Sequence, residues 1–469
     1  MRHQKISSLS LITAAVTLTF SSVAFAASHE TTSTHKQAVR AASTQRAVQA
    51  NRVRKANQPS NMAQYTHSQT LPYVVKKVLY SNPSVLQSVA NQLAGKQLVS
   101  QAFADFLPTV DVTAQVGRER ARTASINDRK NLPTQLYSVT VNQFIFDGFA
   151  RASRYQSAKY QSRSLASESK QEAEATASEA ADAYLDVMRG KRLALLAQRN
   201  VQVHERTLSN VRERYKGGVG RKSDVQLAIG RLAVARASYE ALQGTLKDSR
   251  ATFLRVVGEE PSKLSLPQQV TQALPTSLAQ AKDWAKRYSP SIQLAEKAWA
   301  ASRYDIVSAR AGYFPTLDIQ FNGTKSHNLS RQEGGNDSVS GNFVMTYNLF
   351  RGGRDIAAVS ESHFREIAAF HSFQNASRSV MESVTQAWNG LVVARRRLPQ
   401  LRSHVKSAEE VVAAYSKQVE LGQRSLLDLL DSETELFNAR AALVNGQYDL
   451  RSRGYTLLAN IGILVKTVV

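Results

Sequence analysis

Asp428 and Asp431 stand three residues apart in a stretch that reads as helix, so both carboxylates lie on one helix face. Arg424 lies one turn before them, and Ser223 with Asp224 places a second hydroxyl and carboxylate in the first half of the chain. Side chains of these types form ion pairs, polarise a water-filled passage or attract cations. Covalent chemistry finds no comparable set. The nine histidines are scattered without His-Glu-x-x-His spacing, no Gly-x-Ser-x-Gly elbow occurs, and Gly217-Gly218-Val219-Gly220 lacks the strand that precedes a phosphate loop. The adjacent Glu259 and Glu260 fall in a loop and read as solvated. With no cysteine, thiol catalysis, iron-sulfur clusters, Cys-type zinc sites and disulfides are excluded. The expectation is a protein that is not an enzyme and uses no cofactor or metal.

The elements that hold these residues come from a chain of 469 residues, 42% hydrophobic and 21% charged, enough for a sizeable core. Lys plus Arg number 60 against 37 Asp plus Glu, a formal net charge of +23, which raises nucleic acid or an anionic membrane surface as partners. Residues 1–26 carry Arg2 and Lys5, an apolar run from Leu9 to Phe20, and Ala24-Phe25-Ala26, the pattern of a cleaved secretory signal. Export weakens the nucleic-acid reading, as does the mixing of basic with acidic residues along helices. Residues 27–70 form a basic arm with Arg40, Arg46, Arg52, Arg54 and Lys55 nearly unopposed. It reads as a flexible leader, or as an attachment to an anionic envelope polymer or lipid head group. No segment beyond the signal has the length and apolarity of a membrane helix, so a membrane crossing would have to use strands.

The rest of the chain repeats itself. Asn82-Pro83-Ser84 recurs as Ser289-Pro290-Ser291, and Phe106-Leu107-Pro108-Thr109-Val110-Asp111 recurs as Tyr313-Phe314-Pro315-Thr316-Leu317-Asp318. Phe146-Asp147-Gly148 returns as Phe350-Arg351-Gly352, and Gly218 with Asp224 returns as Gly422 with Asp428. The order of these matches implies a duplicated unit at 71–260 and 291–465, joined by a linker at 261–290. Each unit opens with a helix, near 84–104 and 291–312, that ends at a proline. Alternation follows at Val110, Val112, Ala114 and Val116, and at Leu317, Ile319 and Phe321, with second strands near 136–146 and 340–350. Four strands of about ten residues with one apolar face are long enough to span a bilayer when tilted, although a soluble hairpin alternates in the same way. Beyond each hairpin the chain stays helical for an unusual distance. Residues 150–216 contain no proline and one glycine, which predicts a helix of about 100 Å, with a core at Ala181, Tyr184, Met188, Leu195, Val201, Leu208, Val211 and Tyr215. The second copy, 354–421, should kink at Pro399. Short turns then reverse the chain into returning helices near 223–257 and 425–460.

Arg214-Tyr215-x-x-Gly218 with Ser223-Asp224-Val225 in the first unit, and Gly422-Gln423-Arg424-x-x-x-Asp428-x-x-Asp431 in the second, resemble the TolC family of outer-membrane export channels. The Phe/Tyr-x-Pro-Thr-x-Asp entries into the strands match as well, and the resemblance covers residues 71–465. It implies a mainly α chain with a transmembrane β contribution. Three protomers would give four strands each to one twelve-stranded barrel, and their helices would form a long antiparallel coiled-coil tunnel in the periplasm. It also implies a periplasmic adaptor and an inner-membrane transporter as partners, outer-membrane lipid around the barrel, and no nucleic acid.

By the same resemblance, Arg424 is a gate residue whose partners are Ser223 and Asp224, in the family across a protomer boundary. Asp428 and Asp431 are lumen carboxylates that threefold symmetry would turn into two rings. Gly218, Val219, Gly220 and Gly422 match the tips where an adaptor docks, and helix capping explains them equally well. The family's gate tyrosine falls at Val419, which has no hydroxyl. The function implied is a passive exit duct for type I protein secretion or for efflux of small molecules. Outside transport, a periplasmic coiled-coil scaffold or adhesin would carry the same helices.

Overall fold

The computed structural model describes residues 69–123, 126–267, 273–329 and 334–469. The export signal of residues 1–26 and all but the last two residues of the basic arm read at 27–70 lie outside the described residues. Two helices, α1 (Leu71–Ser81) and α2 (Pro83–Ala104), lead into strands β1 (Thr109–Thr123) and β2 (Ile126–Phe146). Helices α3 (Ala150–Lys216) and α4 (Lys222–Val257) complete the first copy. The second copy repeats this order with α5 (Leu278–Tyr288), α6 (Pro290–Arg310), β3 (Thr316–His327), β4 (Gly335–Thr346), α7 (Arg354–Glu420) and α8 (Leu426–Ile461). A last short helix, α9 (Leu464–Val468), ends the chain.

The duplication extends to element length. Helices α3 and α7 have 67 residues each, and α4 and α8 have 36 each. Helices α1 and α5 both have 11 residues, so the segment read as a linker at 261–290 contains a helix that is the counterpart of α1. Ion pairs are duplicated too. Arg236 pairs with Glu205 between α4 and α3 at 2.7 Å, and Arg440 pairs with Glu409 between α8 and α7 at 2.7 Å. At the start of the long helices the charges exchange places: Asp147 accepts from Arg151 in the first copy, and Asp355 from Arg351 in the second. Either arrangement joins positions one turn apart, so the geometry survives the swap.

The four strands form one antiparallel sheet in the order β1-β2-β3-β4. Strands β1 and β2 have 15 and 21 residues, longer than the ten or so expected. The outer part of their hairpin, with Arg118, Glu119, Arg120 and Pro133, carries no apolar alternation for a sequence reading to follow. Pro133 is tolerated because β3 stops pairing with β2 at Gln135, so its missing N–H breaks no ladder on that side. Strand β4 starts and ends earlier than the 340–350 expected. Register puts Val110, Val141, Phe321 and Gly341 in one row and Val112, Val139, Gly323 and Val339 in the next, all on one face. The rows between them, such as Asp111, Thr140, Asn322 and Ser340, present the opposite, polar face, where Thr140 bonds Asn322 at 3.2 Å. Val112, Val116, Val339, Phe343 and Met345 are exposed on the apolar face. Among the described residues β1 and β4 each have a single neighbouring strand, so both outer edges of the sheet are open.

The helical core sits midway along the long helices. Leu71, Val74, Val75 and Val78 of α1 pack with Ala177, Ala180, Ala181 and Tyr184 of α3, Phe253 and Val257 of α4, and Tyr455 and Leu458 of α8. Alanines let the helix axes approach, and the few large side chains fill what is left. A smaller equivalent joins Ala281 and Ala285 of α5 to Val384, Ala387 and Leu391 of α7. Of the expected α3 core, Ala181, Tyr184, Leu208 and Val211 are buried, while Leu195 and Tyr215 are exposed. Several neighbours contact α3 at once, so its buried positions spread beyond one heptad seam to Leu185, Val187, Leu193 and Ala197. Helix α7 continues through Pro399 without interruption. Losing one backbone bond costs about 3 kcal/mol, and burial of Leu391, Ala394, Leu398 and Val405 on either side opposes that loss. Glu259 is not solvated as expected: it accepts from Gln69 and pairs with half-buried Lys77.

Candidate functional site

The two helical hairpins turn by the same device. At the first tip the Val219 and Gly218 amides donate to the Arg214 and Tyr215 carbonyls at 3.0 and 3.1 Å. At the second the Gln423 and Gly422 amides donate to the Gln418 and Val419 carbonyls at 2.9 and 3.1 Å. Both are left-handed caps, with φ of 79° at Gly218 and 73° at Gly422. Gly220 is constrained differently, since a Cβ there would lie 3.0 Å from the Tyr215 backbone nitrogen. The capping role of these glycines is thus visible directly. Val219 and Leu421 are exposed at the tips.

The Ser425 hydroxyl accepts from the Asp428 amide at 3.2 Å and starts α8, which fixes Asp428 in the first turn. Arg424 then lies 3.9 Å from Asp428, and its guanidinium stacks 3.7 Å over the Tyr415 ring. Asp431, one turn on, pairs with Arg231 of α4. Within one protomer, therefore, each of the two expected lumen carboxylates has an arginine. Ser223 and Asp224 begin α4, where the Asp224 amide donates to the Arg221 carbonyl at 3.1 Å. No bond joins Arg424 to Asp224 among the described residues of this single chain; the resemblance implies that link across a protomer boundary. At position 419 a valine replaces the expected tyrosine, but its carbonyl accepts from Arg214 at 3.2 Å and ties the first tip to the second.

Tyr415 was not singled out from sequence, although it stands four residues before Val419 and so shares its helix face. Two further groups lie deeper. His204 of α3 and Glu433 of α8 approach to 3.7 Å, and neither His204 Nδ1 nor Glu433 Oε2 has a hydrogen-bond partner. Burial raises the Glu433 carboxyl to about 7. Burial, then the charge of Arg231, lowers His204. The cluster His204, Arg231, Asp431 and Glu433 joins three helices just above the tips. A second buried carboxylate, Glu174, lies in the core, where it accepts from the Leu464 amide at 2.9 Å and the Val465 amide at 3.3 Å. Burial raises it to about 7 against the pull of those two bonds. It fastens the end of the chain to α3.

The geometry offers charge pairs, apolar tips and an amphipathic sheet, and among the described residues no cluster of histidine and carboxylate suits a metal. Comparison with known proteins agrees with a transport role. The pattern of the outer membrane efflux protein family matches residues 74–259 and 283–462, one match for each copy of the repeat. Outer membrane efflux protein BepC of Brucella suis is 24% identical, over 84% of this chain and 86% of its own. Alkaline protease secretion protein AprF of Pseudomonas aeruginosa is 22% identical, over 82% and 83%. The outer membrane protein VceC of Vibrio cholerae has the same fold, with a TM-score of 0.73 at 17% identity over 84% of this chain and 96% of that one. With both halves matched, the repeat, the sheet and the long helices have one explanation: the chain belongs to the outer membrane efflux protein family, and the outer membrane is where it resides.

Proposed function

We propose that this chain is the protomer of a passive, trimeric exit duct, the outer-membrane component of a tripartite export system. One observation carries the reading. The sheet has an apolar face, a polar face and two open edges, and it runs directly into helices of 67 residues. Open strand edges cannot face lipid, because their unpaired amides and carbonyls have no water to bond. Three copies would pair β4 of one protomer with β1 of the next, closing twelve strands around a polar lumen, with the helices continuing the passage below. Purified in detergent, the protein should run as a heat-modifiable trimer and form pores in planar bilayers. A soluble single chain that needs no detergent would overturn the reading and favour the scaffold alternative.

The tips are the proposed gate. Arg424 and Asp224, with Ser223, would link neighbouring protomers; Asp428 and Asp431 would face the constriction; Gly218, Val219, Gly220 and Gly422 would meet an adaptor protein. Transport energy would come from an inner-membrane transporter. The similarity to AprF, whose name records protease secretion, supports type I secretion of proteins. Efflux of small molecules is the second reading, favoured by the name of BepC. A deletion strain separates them: loss of a secreted protein with unchanged drug sensitivity supports secretion, and the reverse supports efflux.

A further inference from the structure

The apolar face of the sheet is not uniform. In the row Val112, Val139, Gly323, Val339 the third residue has no side chain, and a Cβ placed on Gly323 would meet no atom within 4 Å. The gap opens a shallow groove of about 420 Å³, walled by Val112, Tyr137, Val139 and Val339 and ending at Lys325. One row further out, Ala114, Tyr137, Lys325 and Asp337 lie abreast. Lys325 meets Asp337 at 3.8 Å with both side chains largely exposed, a contact that leaves the ammonium open to a second anion.

Alternation places further cations on the same face. Arg118 and Arg120 follow Val110, Val112, Ala114 and Val116 in phase on β1, and His327 follows Lys325 on β3. All of these are exposed. The helices join the sheet at its other end, at Phe146 and Thr316, so this end is the outer-surface end of a membrane-spanning sheet. The β1-β2 ribbon continues beyond the last pair of β2 with β3, from Val116 to Thr123, which carries it about 24 Å past the end of β3 at roughly 3.4 Å per residue. A greasy groove that ends at a lysine, beneath a ribbon bearing outward arginines, matches an acyl chain below a phosphate.

We infer that this groove is a binding site for a phosphorylated lipid of the outer leaflet, its acyl chain over Gly323 and one phosphate at Lys325, with Arg118 and Arg120, four and six residues beyond the Lys325 row on β1, placed for a second phosphate of the same head group. The inference rests on the channel reading, which turns this face toward lipid. Tyr137 marks the depth at which chain gives way to head group, where aromatic side chains are favoured.

The test uses the full-length protein in detergent, with lipid retention read by native mass spectrometry. Diphosphoryl lipid A is the probe, and phosphatidylcholine is the zwitterionic control. Each basic group near an anionic surface is worth roughly fivefold in binding, so Arg118→Gln, Arg120→Gln and Lys325→Gln together should lower lipid A retention at least tenfold and leave phosphatidylcholine unchanged. Gly323→Leu, which fills the groove, should displace both lipids. Inorganic phosphate at millimolar concentration should not compete; competition would show a plain anion site and overturn the acyl part. Equal lipid A retention by trimeric wild type and the triple variant defeats the lipid inference alone. A wild-type chain that never becomes trimeric defeats the channel reading, and the lipid site with it.

Discussion

Replacing Glu433 by glutamine should change how the stability of the helical tunnel depends on pH. The carboxyl ionises near 7 in the folded protein and near 4.5 when unfolded. Between those values the unfolded chain has released a proton that the folded chain retains, so stability falls as pH rises through the window and the loss is complete above pH 7. A difference of that size corresponds to about 3 kcal/mol per protomer as an upper bound, since a side chain 11% exposed gains some relief from water. His204 acts with the opposite sign. Its folded value lies below 6.5, so the unfolded chain binds a proton that the folded chain refuses, and stability falls as pH drops below 6.5. Burial of both groups, with the charge of Arg231 acting further on His204, favours a neutral imidazole facing a protonated carboxyl. Glu433→Gln keeps the shape and cannot ionise. Guanidinium-induced dissociation, followed at pH 5, 6.5 and 8, should show the variant gaining on wild type by about 2 to 3 kcal/mol between the first and last pH. Parallel curves for the two proteins from pH 6 to 8 would refute the reasoning.

Three other predictions concern neighbouring contacts. Glu174→Ala leaves the Leu464 and Val465 amides without their acceptor and should cost about 1 to 3 kcal/mol, read as faster hydrogen exchange confined to the end of the chain; unchanged exchange at 464 and 465 would remove this tie. Arg424→Ala should raise single-channel conductance, and Tyr415→Leu should do so by a smaller amount, because the stacked ring contributes about 0.5 to 1 kcal/mol at an exposed site; unchanged conductance in both would remove the gate assignment. Asp428→Asn with Asp431→Asn should relieve block by multivalent cations from the periplasmic side, whereas Arg231→Gln, which frees Asp431, should deepen it; the same response from both variants would show that Asp431 does not face the ions.

The repeat was what sequence made legible, and its strengths and failures have a common cause. Proline entries, glycine turns and alternation recur, so the long helices were placed to within a residue or two: residues 150–216 are helix as read, and 354–421 differ by one. Elements without a clear local pattern escaped. Helix α5 lay hidden in a segment marked by four prolines, and the outer half of the β1-β2 hairpin reads as a polar loop. The groups deepest in the tip region share a different trait. Arg231 corresponds to Glu435 in the other copy, Glu433 to Ile229, and His204 to Ala408. A reading that looks for agreement between copies passes over these positions, where the halves have diverged and where the buried charge now sits. Pairing partners between distant helices cannot be read from spacing either, which is why Arg231 was not matched to Asp431.

The energy scale at the tips is compatible with the proposed gate. Arg424 is about a third exposed and Asp428 about half, and Arg231 with Asp431 is similar. Exposed pairs of this kind are each worth about 0 to 1 kcal/mol. Helices of 67 residues, anchored by a core midway along their length, could not be held shut or forced open by such pairs if the tips were packed like the core. The tips are instead sparsely packed: Val219 and Leu421 are exposed, and only small clusters such as Leu208, Ala228 and Leu232 lie nearby. Arg424 has partners inside its own protomer, Asp428 and Tyr415, that compete with any partner across a boundary. In the proposed trimer, moving it from one set to the other would exchange contacts of similar worth, so a docking protein would need to supply only a few kcal/mol over three copies to shift the balance. A latch of this strength should also loosen with salt, because its charges lie in water. The His204 and Glu433 pair, shielded above it, should not.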